Sequence, residues 1–515
     1  MVGGFDLYSV YIENYFHKIK NLLSNTIFII FIGLLARIIV SFSLIGGLHA
    51  DEEFQGLEMA YNLLYPSTKN IIPWEFLTHT RSYIVPLLFV PIVYLSSTVN
   101  LGGLVYFQLL RFFLSIIGLV FIPMSKNVFT SDDENDKWAN TILCWFFALY
   151  LPFIFFSNYL GADGFGLFLL IILMFYVSNK NDLEFTKRKL FIIGLIISIC
   201  LTFRLQYAII FLPFLIQGLL KKKYFLFLGL VIGMFPLALV DYIFYGIPDI
   251  TIINFFQYNV ITQKNVSLVP ASYWWLYIVI VPLLLLYFGL GLPIMLFNYT
   301  KGFNYSKNIN IRLLALGSVL YFLFFQYLTY KEVRFLIPAI IVILYDSFQS
   351  LPLFIKYLRQ SKHKKVVKAF TVILIISIPV SFIIAPYNYD LKDNIWLAQE
   401  KIRELDPNAV IGIIDPFQMT GGYFFQYSGK TNAIIYFMDQ MNVTELNSTF
   451  HVINYFINDQ EHANYSLLIQ LKNEICKTNI LIKDYTSLRP FSLDNINYQF
   501  NPNKLGVKIE LWRCN

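Results

Sequence analysis

Long apolar runs almost without charge recur along this chain, and no other feature limits its fold so strongly. Asn25 to Gly47 and Tyr273 to Phe297 both exceed the ~18 residues that cross a ~30 Å hydrocarbon layer as a helix. Spanning helices are the simplest account. Composition agrees, because 57% of the 515 residues are apolar and only 14% charged, beyond what a soluble multi-domain chain carries. The first run is long, starts late and lacks a small-x-small pattern before His49 and Asp51, so it is expected to stay as the first span rather than be cleaved.

Basic clusters orient the runs. Lys180 to Lys189, Lys221 to Lys223, Lys301 to Arg312 and Lys356 to Lys368 fall in alternate loops, and Lys18 and Lys20 precede the first span. Cytoplasmic loops are enriched in Lys and Arg, so these segments are expected inside. Residues 48–82, Asn158 to Asp163, Asp241 to Pro270, Tyr330 to Arg334 and everything after about Pro386 then lie outside. Between Arg81 outside and Lys126 inside the crossings must be odd in number. Tyr83 to Val99 and Leu104 to Met124 are both apolar, so one piece is expected along the interface. With the short pair Leu190 to Phe203 and Gln206 to Leu220, the count is about eleven to thirteen spans. The expectation is an all-α polytopic membrane module over 1–386 and a small soluble α/β domain over 387–515 on the outer side.

The net charge of +7 is scattered in short clusters, which argues against a nucleic-acid partner. Cys144 and Cys200 lie in apolar runs, whereas Cys476 and Cys514 lie in the polar tail, either as a disulfide or as two isolated thiols. Their spacing is not that of a zinc site, and no metal or cofactor is expected. Sequons at Asn265, Asn442, Asn447 and Asn464 fall outside, but those at Asn298 and Asn304 fall inside, so they decide nothing.

Charges beside spans are costly, which makes them functional candidates, and here they gather on the outer face. The first outer loop reads His49-Ala-Asp51-Glu52-Glu53-Phe54-Gln55, then Glu58, Trp74-Glu75 and Arg81-Ser82. Three consecutive carboxylates after a span are either a solvated loop mouth or in use. A single-displacement sugar transfer needs a carboxylate to deprotonate the acceptor hydroxyl and cations to stabilise a departing phosphate. Asp51 fits the first need. Arg81, Arg204, Lys331 and Arg334 at the outer boundary fit the second, with snorkelling to lipid headgroups as the alternative for each.

The run His49-x-Asp51-Glu52-x-Phe54-Gln55, with Glu58, Trp74-Glu75 and Arg81-Ser82-Tyr83, resembles the first lumenal loop of the family 22 glycosyltransferases. Asp241-x-x-Phe244-Tyr245-Gly246 with Asn254-Phe255 and Tyr258-Asn259-Val260 is similar to that family's central outer loop. Lys331-Glu332-x-Arg334-Phe335-x-x-Pro338 is similar to its late lumenal signature, and Ser157-Asn158 to a fourth stretch. The resemblance fades after about residue 390. It implies a GT-C helical bundle with a lumenal active site. It also implies inverting transfer of mannose from dolichyl-phosphate mannose to the GPI glycan core or the dolichol-linked oligosaccharide, without a nucleotide sugar. By position Asp51 is the general base with Glu52 beside it. Arg334, Lys331, Arg81 and Arg204 become phosphate-side candidates, and His49, Gln55, Glu58, Trp74, Glu75, Asp241, Tyr245, Asn259 and Glu332 substrate-side ones. Three positions depart from the family: Ala50 stands for proline, Tyr330 for histidine and Gly161 for an acidic residue, which leaves Asp163 as a substitute acid or not.

The expected partners are therefore a polyprenyl-phosphate mannose, a lipid-linked glycan and membrane lipids. Two rivals stay open: a transferase of another polyprenyl-phosphate sugar, and a non-enzymatic transporter. A transporter favours paired charges or broken helices near the midplane in matching halves, and the sequence displays neither clearly. Tyr273-Trp274-Trp275-Leu276-Tyr277 reads as an interfacial aromatic belt, and His79 as a loop histidine without a role. No phosphate loop, nucleophile elbow or HExxH helix is present.

Overall fold

A computed structural model describes residues 21–43, 51–66, 72–99, 103–131, 133–178, 185–246, 251–262, 274–302, 308–328, 332–360, 372–373, 376–381, 399, 401–406, 408–413, 434–437, 453, 455–459, 476–483 and 509–514. His49 and Lys331 lie outside these residues, as does the side chain of Asn259.

Among the described residues, four helices are long and apolar enough to cross a bilayer: Thr26–Ser43, Val105–Ser125, Tyr224–Tyr245 and Ile309–Tyr327. Three more spans arise if each bent pair is one crossing: Glu134–Leu149 with Leu151–Ser157 at 52°, Leu276–Leu286 with Gly291–Gly302 at 104°, and Val333–Phe348 with Leu351–Gln360 at 54°. Shorter apolar helices cover Ile84–Val99, Ala162–Ser178 and Leu205–Leu220. Among the described residues these bent and short helices leave the number of crossings below the eleven to thirteen expected of the whole chain. Ile84–Val99 has 16 residues, and at ~1.5 Å per residue it rises only ~24 Å, less than the hydrocarbon thickness.

The apolar residues sort by neighbour. Phe121 is fully buried, with ring centroids of Phe147, Phe153, Phe168 and Phe175 within 6.1 Å. By contrast Val231, Phe235 and Ile243 of Tyr224–Tyr245 are largely exposed. Water would penalise that face, whereas lipid tails are as apolar as the side chains. Tyr224–Tyr245 packs parallel to Lys187–Phe203 through glycines, since a Cβ at Gly194 would collide with the Leu226 carbonyl oxygen and one at Gly229 with that of Phe191.

Among its described residues the tail contributes five strands: β1 (Val410–Ile413), β2 (Ile434–Phe437), β3 (Tyr455–Asp459), β4 (Cys476–Lys483) and β5 (Ile509–Cys514). They form one sheet in the order β2-β1-β3-β5-β4. β1 pairs parallel with β2 and β3, whereas β5 pairs antiparallel with β3 and β4. Cys476 and Cys514 stand opposite each other at the end of the β4–β5 ladder and are joined as a disulfide.

Candidate active site

The helix Val333–Phe348 starts one residue after Glu332, and its second residue is Arg334. Tyr277 fixes this entry, because its hydroxyl donates to the Glu332 carbonyl and accepts from the Glu332 N–H, both at 2.8 Å. Arg334 Nη1 donates to Asp51 Oδ2 at 2.9 Å and to the Tyr159 hydroxyl at 2.8 Å, and Nε donates to Glu332 Oε2. The same Nη1 lies 3.7 Å from Asp163 Oδ2, which also accepts from Arg204 Nη2. Asp163 therefore bridges two guanidinium groups, and Asp51 meets an arginine 283 residues away in the chain. Charge-assisted bonds of this kind fix orientation as well as energy.

Glu52, although adjacent to Asp51, is fully buried. Its Oε2 accepts from the Leu160 N–H at 3.1 Å and stands 3.4 Å from Arg111 Nη2. Arg111 in turn lies 4.0 Å from the centroid of the Phe107 ring. Both Tyr159 and Leu160 belong to the turn that follows the half-helix Leu151–Ser157. Gly161 closes that turn, and a Cβ there would strike the Tyr159 ring. An acidic side chain at 161 would displace the tyrosine that holds Arg334, which gives the departure at this position a steric reason.

The segment from Gln55 to Tyr83 leans on residues 241–258. Gln55 Nε2 donates to Glu75 Oε1 at 2.7 Å. Burial, and then the negative charge of Asp51, push the Glu75 carboxyl above its ordinary range, with Arg81 opposing them. Burial and the facing Arg204 push the Arg81 guanidinium down, while Asp51, Glu75 and Asp163 oppose that shift. Around this charged group the loops interlock through rings. Trp74 stacks on Tyr258 at 4.8 Å, Tyr83 on Phe244 at 4.4 Å, and His79 lies 4.0 Å from Tyr245. The Tyr245 hydroxyl donates to the Arg81 carbonyl at 2.5 Å, and buried Asp241 accepts from Thr251.

The structure thus brings Asp51, Glu52, Gln55, Glu75, Arg81, Arg204, Glu332 and Arg334 into one polar neighbourhood. Trp74 and Tyr245 join residues 74–81 to residues 245–258, whereas Asp241 bonds within its own segment, to Thr251. Glu58 is buried in the π-turn Glu53–Glu58. Sequence reasoning missed Arg111 and Tyr159 and left open whether Asp163 replaces the acid missing at Gly161. Arg111 alone gave a signal, as a single charge within the otherwise apolar run from Leu104 to Met124.

The chain matches the Alg9-like mannosyltransferase family over residues 26–426. It is 27% identical over 319 residues to GPI mannosyltransferase 3 of Candida albicans, across 60% of this chain and 61% of that relative's length. Among solved structures it is similar to an oligosaccharyltransferase of Archaeoglobus fulgidus, with a TM-score of 0.45 and 11% identity over 89% of this chain and 72% of that one. A second similarity is to the mycobacterial arabinofuranosyltransferase AftD, with a TM-score of 0.45 and 10% identity over 94% of this chain and 41% of that one. A family match that covers most of the sequence and contains every residue of the Asp51–Arg334 network makes this chain a member of the Alg9-like mannosyltransferase family.

Proposed function

We propose that this chain transfers mannose from a polyprenyl-phosphate donor to a lipid-linked glycan, with Asp51 as general base. The observation that carries this reading is the 2.9 Å contact between Asp51 and Arg334, which joins an acid and a phosphate-binding type of cation from opposite ends of the membrane module. In the step, Asp51 takes the acceptor hydroxyl proton as that oxygen bonds to the anomeric carbon from the face opposite the donor phosphate. The bond from that carbon to the phosphate oxygen breaks, its electron pair leaves on the polyprenyl phosphate, and the anomeric configuration inverts. Arg334 and Arg204, tied through Asp163, meet the charge that grows on the phosphate. A base must touch its substrate, and the Asp51 side chain is 19% exposed whereas that of Glu52 is fully buried. Glu52 is thus a positioning residue in this reading.

The site is read as lumenal if the source is eukaryotic, in the endoplasmic reticulum membrane, and external to the cell membrane otherwise. The alternation of basic loops supports this side. So does the Cys476–Cys514 disulfide in the tail, because such bonds persist in oxidising compartments. The test is transfer by the purified chain from polyprenyl-phosphate mannose and from its glucose counterpart, alongside Asp51→Asn. Asparagine can still accept from Arg334 but cannot take a proton, so mannose transfer should fall ~10²-fold or more with the fold retained. Near-normal turnover removes Asp51 as base, and preference for the glucose carrier replaces the donor.

A further inference from the structure

The first span carries a charge that this reaction does not use. Arg37 is fully buried within Thr26–Ser43, where an ionisable group is expensive unless its donors are satisfied. Each of its three side-chain nitrogens reaches a backbone carbonyl. Nε donates to Ser115 O at 2.9 Å and Nη2 to Phe147 O at 3.0 Å. Nη1 donates to Gly33 O at 3.0 Å and to Ala148 O at 3.3 Å. The guanidinium carbon also sits 5.7 Å from the centroid of Phe153.

Two of these carbonyls are orphaned by the break in the span Glu134–Ser157. In an unbroken helix Phe147 O would accept from residue 151 and Ala148 O from residue 152. Residue 152 is proline, which has no N–H, and the chain turns extended at Tyr150, with ψ 102°. Ser115 O stands where Gly103–Ile117 tightens into the 3-10 turn Gly118–Val120, which moves the helical partner from four residues ahead to three. Arginine suits the task, since it offers five N–H donors in a planar fork and a positive charge at the favourable, C-terminal end of a helix. Space is reserved for it, because a Cβ on Gly118 would come 3.3 Å from Arg37 Nη2. One turn further along the first span, Ser41 Oγ donates to Asn158 Oδ1 at 2.6 Å.

We propose that Arg37 is a positioning residue, and that with Ser41 it forms a strut that caps the broken span. The strut lets Leu151–Ser157 deliver Tyr159 to Arg334 and the Leu160 N–H to Glu52. Only the activity arm of the test rests on the transfer reaction proposed above. The variants are Arg37→Gln, Arg37→Lys and Ser41→Ala in the full-length chain, read by hydrogen exchange across residues 151–160 and by steady-state transfer. Arg37→Gln should speed exchange in that segment ~10-fold or more. Its turnover should drop ~10-fold, with the donor KM within ~2-fold of wild type, because the groups around the reacting atoms are misplaced while donor contacts persist. Arg37→Lys keeps a donor and should retain intermediate turnover, and Ser41→Ala should move both readouts in the same direction by a few-fold.

A wild-type chain without mannose transfer would sink the reaction and leave the exchange result to judge the strut. Wild-type exchange across 151–160 in Arg37→Gln, or a loosened segment with wild-type turnover per folded molecule, overturns the strut. If Arg37→Gln fails to fold, Arg37→Lys and Ser41→Ala decide by the same two readouts.

Discussion

The helix Val333–Phe348 carries a charged side chain near each end, and the two surroundings are built differently. Arg334 and Asp346 are twelve residues apart, ~18 Å along the axis. At the far end Asp346 is fully buried, with Asn298 Nδ2 at 3.0 Å, the Tyr299 hydroxyl at 3.2 Å and Arg312 Nε at 3.4 Å. Every partner comes from a neighbouring helical segment, so this cluster ties membrane segments together. At the near end, Asp51, Glu332 and Arg334 keep part of their side chains exposed, and the partners come from the ends of helices and the turn at Tyr159. Both are networks of carboxylate and guanidinium. The contrast lies in the carboxylates: Asp51 is 19% exposed and can meet a ligand, whereas Asp346 is fully covered and serves the fold.

Substitutions can break that comparison. The largest effect is expected at Arg334, where Arg334→Ala removes a preorganised cation and should lower turnover on the order of 10²-fold. Arg334→Lys keeps a point charge but loses the fork that meets Asp51 and Tyr159, so it should recover only part of that loss. Kinetics on detergent-purified protein, with the mannose donor varied at saturating acceptor, decide this, and unchanged constants per folded molecule would put Arg334 in the same class as Asp346. Asp346→Ala should do the reverse. It strands the Arg312 charge in a mostly buried place, so thermal stability should drop by ~3 kcal/mol while kinetics per folded molecule hold. A catalytic defect without a stability loss would erase the contrast.

The smallest effect concerns Glu75. Burial and Asp51 raise its folded-state carboxyl, with Arg81 opposing and Gln55 bonded to it. The folded state then holds this proton where the unfolded chain has released it, so stability falls as pH climbs from the ordinary carboxylate range through the raised value. Glu75→Gln preserves an acceptor for Gln55 and removes the titration. Its melting temperature should therefore be flatter than that of wild type over this window, and identical slopes would show that Glu75 carries no such shift.

How much of this was legible beforehand follows from where the charges sit. Asp51 and Arg334 stand at the ends of apolar runs, so hydropathy alone exposes them, and the family resemblance brings them together. Glu52 and Arg111 meet only once the segment after the first span has packed against Gly103–Ile117. Tyr159 gives no signal at all, because a tyrosine beside an apolar run is commonplace at a membrane interface. The helix breaks were hidden for another reason. Pro152 and Pro352 lie at bends, but Pro213, Pro236, Pro282 and Pro338 lie inside continuous helices. A proline frees a carbonyl, and whether the helix then breaks depends on what else can satisfy that carbonyl. At Ala148 the answer comes from Arg37, more than a hundred residues away.

The glycine contact between Lys187–Phe203 and Tyr224–Tyr245 has a consequence for the end of the bundle that carries Asp51 and Arg334. Gly194 and Gly229 bring backbone against backbone, and no rotamer there can absorb a slip. The two helices run parallel, so the contact acts as a gauge block for what they carry at their C-terminal ends. One ends at Arg204, which grips Asp163, and the other at Tyr245, which grips the Arg81 carbonyl. An alanine at either glycine would spread the pair, and with it the spacing between Arg204 and the Arg81 carbonyl.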